Sequence, residues 1–335
     1  MSKKLGEQSL IFETQPKIIS TANIVGPLEG KGPLKEFYDF ILKDNLNNLD
    51  SWEKAESYML EWAVKKAAEK GYKTIDDIDI MFAGDLLNQL MSSHFAARQL
   101  ARPFLGLYGA CSTLVEGMII GSVFIEGSFA SNVISAVSSH HDAAERQYRF
   151  PTELGTQRPP ISQWTVTGSG AMVISNTGES PKITTATVGK VIDMGIKDAN
   201  AMGPAMAPAA ADTIRQHLQD TDRLPNYYDM IYTGDLGKIG KALVIDLLKE
   251  KGNIDITSNY EDCGCLIYSE DQDTHSGASG CASSAITFTG YIYQKLLKNT
   301  LKKVLLVGTG SLHSPTSYLQ RESLPGIAHA VSIEI

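Results

Sequence analysis

The sequence predicts an α/β protein made of two similar βαβαβ halves, and three observations carry that expectation. Strand-like and helix-like runs alternate along the chain, a strand followed by a Gly-Asp-Leu turn occurs twice, and each copy is followed by a small-residue turn that opens an apolar helix. The first copy reads Ile78-Asp79-Ile80-Met81-Phe82-Ala83-Gly84-Asp85-Leu86, and the second reads Tyr228-Asp229-Met230-Ile231-Tyr232-Thr233-Gly234-Asp235-Leu236. Helix-opening turns follow at Gly109-Ala110-Cys111-Ser112-Thr113 and at Gly277-Ala278-Ser279-Gly280-Cys281-Ala282-Ser283. Each of these helices leads into a strand ending in small polar residues and histidine, over 132–140 and 303–313.

Taken in order, residues 51–70 predict a helix with Trp52, Ala55, Met59, Trp62, Ala63, Lys66 and Ala67 on one stripe, started at Ser51. An apolar run over 103–108 predicts a short strand, and 113–126 a helix apolar on all sides. After the strand at 171–175 comes the turn-rich stretch 176–181, which places the join between halves 1–178 and 179–335. Helices are expected at 207–219, 238–251 and 283–297. Gly84 to Ser139 spans 55 positions and Gly234 to Ser311 spans 77, so the second half carries 22 more, expected as a hairpin-like segment around Cys263-Gly264-Cys265.

Composition bounds the function. With 30 Lys and Arg against 38 Asp and Glu, the net charge of -8 argues against nonspecific nucleic-acid binding, and any anionic ligand must be held by local groups. The longest apolar region, 114–129, is interrupted by Glu116 and Glu126 and falls short of the roughly 20 residues a bilayer needs. Residues 1–7 begin with lysines but lead into no apolar stretch, which reads against a secretory signal. The four cysteines, Cys111, Cys263, Cys265 and Cys281, are expected as reduced thiols, with no metal site.

A strand, a tight turn of small residues and a helix make a nucleophile elbow, with Cys111 at the helix N-terminus. Free N–H groups and the helix dipole there are expected to favour its thiolate. The same helix end would receive a carboxylate or phosphate without covalent chemistry, and the residues alone leave both roles open.

The duplicated halves, the Gly-Ala-Cys-Ser elbow and Val307-Gly308-Thr309-Gly310 resemble the thiolase and ketoacyl synthase superfamily over nearly the whole chain. The resemblance implies a five-layered αβαβα core and a homodimer. Active members pair the cysteine with a histidine and with an asparagine or second histidine; here Thr233, or at a stretch Asp235, falls at the first position and Ala278 at the second. No second cysteine stands beside Gly308-Thr309-Gly310. Without base or acid, the 10²- to 10⁴-fold typical of general acid–base catalysis is lost, so the resemblance implies a non-catalytic protein.

The segments 83–89, 108–113, 138–140, 143–147, 166–171 and 206–214 are similar to a sporulation branch of the superfamily. That branch implies binding of dipicolinic acid (pyridine-2,6-dicarboxylate), with or without calcium, for uptake into the forespore. It also implies recruitment to the inner spore membrane by integral membrane proteins of the same transport assembly. The alternative is residual acyl transfer on Cys111. Expected ligand-binding residues are Asp85, Asn88, Cys111, Ser112, Ser139, His140, His141, Thr233, Gly310 and His313, with backbone N–H groups of Cys111 and Gly310 receiving a carboxylate. Asp85 would equally serve to close its turn, and His140 and His141 to line a solvated loop. Arg146, Arg149 and Arg158 read as a solvated face and stay outside the site.

Overall fold

Apolar runs bounded by turns become two sets of five strands with one topology. The computed structural model describes residues 3–148, 158–179 and 181–335, so Arg149 lies outside the described residues. The first set comprises β1 (Lys17–Val25), β2 (Ile80–Gly84), β3 (Phe104–Gly106), β4 (Asn132–Ser139) and β5 (Gly168–Ser175), in the spatial order β3-β2-β4-β5-β1. The second comprises β6 (Lys182–Val188), β7 (Met230–Thr233), β8 (Tyr260–Asp262), β9 (Lys303–Ser311) and β10 (Gly326–Glu334), in the order β8-β7-β9-β10-β6. In each set the first three strands pair in parallel and the last two join antiparallel. The sets meet at β1 and β6, through the Lys17–Lys182 pair.

Helices complete the layers. In the first half, α1 (Trp52–Lys70) and α2 (Met91–Leu100) bury Met59, Leu60, Ala63, Ala67, Ala96 and Leu100 against one face of the sheet. Ser51 caps α1 as expected, its hydroxyl accepting the Lys54 N–H at 3.3 Å. Helix α3 (Thr113–Glu126) is apolar on all sides because it lies inside, between the two sheets, where Leu114, Val115 and Met118 join one cluster with residues of both halves. Helix α4 (His141–Tyr148) follows β4 directly. In the second half α5 (Met202–Thr221) and α6 (Gly237–Gly252) cover the outer face, and α7 (Cys281–Ile286) shares the middle layer with α3. It continues as a π-helical stretch, Thr287–Ile292, into α8 (Tyr293–Leu297). The result is the expected five layers.

Some elements differ from expectation. Helix α5 begins five residues before 207, because Pro204 falls in its first turn, where a missing N–H is harmless, and Pro208 is carried inside. The segment around Cys263 is a helical turn, Cys263–Leu266, instead of a hairpin. His140 and His141 are not a solvated loop: His140 is fully buried and His141 opens α4. All four cysteines are free thiols. Among the described residues no helix is long and apolar enough to cross a membrane, and no group of three His, Cys, Asp or Glu is placed to hold a metal.

Candidate functional site

The elbow between β3 and α3 is forced by sterics. Ala110 adopts a left-handed backbone, φ 52°, which turns the chain sharply before Cys111. A Cβ at Gly109 would lie 1.8 Å from Glu116 Oε1, so a side chain there would displace the carboxylate that Ser112 holds. Gly310 on β9 is constrained by backbone, with a Cβ position 2.8 Å from Gly109 O. Side chains lock the turn: Thr113 Oγ1 donates to Ala110 O at 2.7 Å, and Ser112 Oγ shares its proton between Gly109 O at 2.8 Å and Glu116 Oε1 at 2.6 Å. From α7, the Cys281 thiol donates to Ala110 O at 3.0 Å.

Behind Cys111 stands Asp235, which the sequence favoured less than Thr233. Its carboxylate accepts Thr309 Oγ1 at 2.7 Å, the Gly280 N–H at 3.0 Å, the Ser279 hydroxyl at 3.4 Å and the Cys111 thiol. Burial holds the Asp235 pKa above the ordinary carboxylate value, against the pull of these donors. Burial first, and then the Asp235 charge, push the Cys111 thiol well above its usual value. This overturns the expectation of a favoured thiolate. The helix-end effect is outweighed by desolvation and by an anion within hydrogen-bond reach.

A cavity of about 500 Å³ opens over the elbow, at the carboxyl ends of the parallel strands. Of the expected ligand-binding residues, Asn88, Cys111 and His313 line it. The other seven are placed elsewhere, each with its own partners. Asp85 is buried and closes its turn, Oδ1 accepting the Leu87 N–H at 2.8 Å and Oδ2 accepting Ser93 N–H at 2.7 Å and Oγ at 2.6 Å. Ser112 and Gly310 brace the elbow from below. Ser139 Oγ donates to Val166 O at 2.7 Å. His140 Nε2 lies 2.8 Å from Asn45 O, with burial lowering its pKa, and His141 stacks on Trp164 at 3.7 Å. Thr233 donates to Asp262 Oδ2 at 2.7 Å, on the side of β7 facing β8.

Sequence reasoning did not single out Tyr108, Tyr148, Thr165, Ser279 or Ser311, which supply hydroxyls to the lining beside apolar Leu86, Met202 and Ile327. Tyr148 donates to Leu86 O, and burial pushes its phenol up, so it stays a neutral donor. The repeated Gly-Asp-Leu turn was the available signal for Asp235. No lysine, arginine, aspartate or glutamate is among the described residues lining the cavity.

Comparison with known proteins gives two kinds of likeness. A family model described as stage V sporulation protein AD (SpoVAD) matches residues 6–334. Stage V sporulation protein AD of Bacillus subtilis (strain 168) is 46% identical over 332 residues, which span 99% of this chain and 98% of that protein. Among solved structures, Xanthomonas campestris OleA superposes with a TM-score of 0.64 at 13% identity, covering 97% of this chain and 99% of the other. The 3-oxoacyl-[acyl-carrier-protein] synthase III from Aquifex aeolicus VF5 gives a TM-score of 0.57 at 14% identity, covering 96% and 100%. These two show the thiolase-like fold.

Proposed function

The chain belongs to the stage V sporulation protein AD family, and from that premise we propose that its cavity binds dipicolinic acid, without catalysis, for uptake into the forespore. One observation carries this reading: a cavity of about 500 Å³, with no lysine, arginine, aspartate or glutamate among its described lining residues, ends on a cysteine whose thiol is kept protonated by burial and by Asp235. A carbon–carbon bond-forming enzyme needs the thiolate, and a carboxylate in the partner position disfavours it. A binding site needs only shape and donors. Leu86, Met202 and Ile327 offer apolar surface to a planar ring, while Asn88, Ser311 and His313 offer polar groups to its two carboxylates.

The calcium chelate is the form that suits the inner cavity. Burying an uncompensated dianion in an uncharged lining is costly, whereas a one-to-one chelate carries no net charge. Calcium then enters as part of the cargo. Two partners complete the proposal. A second copy would cover the edge strand β3, where Leu105 is 47% exposed and Tyr108, which also lines the cavity, is 61% exposed. Integral membrane proteins of the same transport assembly would hold the chain at the inner spore membrane.

The test is equilibrium binding of dipicolinate to the purified protein, with a Cys111→Trp variant to fill the cavity. Saturable binding that the variant loses is expected; no binding by the wild-type protein would refute the reading. Mass spectrometry after incubation with a panel of acyl-coenzyme A thioesters addresses residual acyl transfer. An adduct on Cys111 that turns over would favour the enzyme instead.

A further inference from the structure

A second recess, of about 360 Å³, lies beside the mouth of the cavity and differs from it in charge. The two share Tyr148, and Ser314 on the cavity side is followed by Pro315 on the recess side. The recess is lined by Arg146 and Lys197, with Asp198, Asn200 and Tyr318 around them. Arg146 is held in place by Glu53 and by Trp52, over whose ring its guanidinium sits at 4.9 Å. Asp198 is engaged in its own turn, Oδ1 accepting Asn200 N–H at 2.9 Å and Nδ2 at 3.2 Å. Lys197 is exposed and in no salt bridge among the described residues, and Asp193 is the carboxylate that its charge reaches.

The charge gradient from recess to cavity floor gives this arrangement a use. A dianion approaching a chain of net charge -8 is repelled on average, so encounter depends on local cations. Among the described residues the cavity lining supplies no lysine or arginine, and behind the elbow stand two carboxylates, Asp235 and Glu116. The cations lining the recess next to the entrance, among the described residues, are Lys197 and Arg146, the latter paired with Glu53.

We propose that this recess is an outer capture site for the free dicarboxylate dianion, with Lys197 and Arg146 attracting it before it passes, neutralised, into the uncharged cavity. This rests on the dicarboxylate-binding reading given above. Because the attraction is long-range, it acts on the rate of association and on the charged ligand, and leaves a neutral chelate unaffected.

Stopped-flow association of dipicolinate, with and without saturating calcium, tests it on the wild-type protein and on Lys197→Glu and Lys197→Gln. At low salt the Glu variant is expected to bind the free dianion about tenfold more slowly and the Gln variant about threefold more slowly. At high salt the differences should close, and the chelate's rate should change by less than about twofold throughout. Unchanged rates for the dianion, an equal loss for dianion and chelate, or a loss that persists at high salt would overturn the capture site while leaving cavity binding intact. A wild-type protein that binds neither form would sink both readings.

Discussion

The two Gly-Asp turns occupy equivalent places after β2 and β7, yet their aspartates serve different ends. In the first half Asp85 accepts the N–H two residues on, at Leu87, and ties down the start of α2 through Ser93. In the second half the equivalent N–H, at Gly237, goes to Asp262 from the neighbouring strand, at 3.0 Å, and so does Leu236 N–H at 2.9 Å. Relieved of the turn, Asp235 points toward the middle layer and meets Cys111, Gly280 and Thr309. The two aspartates thus hold one position with different tasks, and in the second half Asp262 on β8 takes the turn N–H groups.

If Asp262 has taken over the structural duty, the largest effect should be seen in its titration. Burial raises its pKa to about 7, above the ordinary 3.8 that the unfolded chain retains. The folded state then binds the extra proton between about pH 4 and 7, so stability falls as pH rises through that window. Urea unfolding across the window should show the wild-type protein losing about 4 kcal/mol relative to Asp262→Asn. A parallel pH profile for the two proteins would contradict a buried Asp262 that takes up a proton in this window.

Next in size, Asp85→Ala leaves the N–H groups of Leu87 and Ser93 and the Ser93 hydroxyl buried without their acceptor. Denaturant unfolding should register a loss of about 3 kcal/mol. The comparison sharpens with Asp235→Asn, for which the readout is chemical: removing the charge beside Cys111 lowers its thiol pKa, so alkylation at pH 8 should quicken about tenfold. Peptide mapping of the labelled cysteine checks it, and Asp85→Asn should leave the rate unchanged. Smallest is Thr309→Val, which removes one of the donors holding the Asp235 carboxylate and should alter Cys111 alkylation by only about twofold.

These contrasts explain what could be read from the chain alone. The duplicated strand-turn-helix order gave the layers, because a repeat of apolar runs and glycines constrains topology directly. Cys111, Asn88 and His313 were legible as residues at strand ends or elbows, and they line the cavity. Ser139, His140 and Thr233 share that placement at strand ends, but alternate residues of a strand face opposite sides, and only the register decides which side holds the cavity. Thr233 turns toward Asp262, and Asp235, two residues later and past the strand end, turns toward Cys111. The thiol's protonation was also beyond the sequence. A helix N-terminus can be read from a turn motif, whereas burial and a carboxylate supplied by the other half cannot.

Under the proposed function the cavity holds dipicolinate, and Cys111 acts as wall and not as nucleophile. Calorimetric titration of the wild-type protein and Cys111→Ala with dipicolinate, with and without calcium, tests it most directly. Saturable binding retained within about threefold by the alanine variant, and tighter with calcium than without, is the predicted result. Absence of binding in the wild-type protein, with turnover of an acyl thioester that the alanine variant lacks, would contradict it.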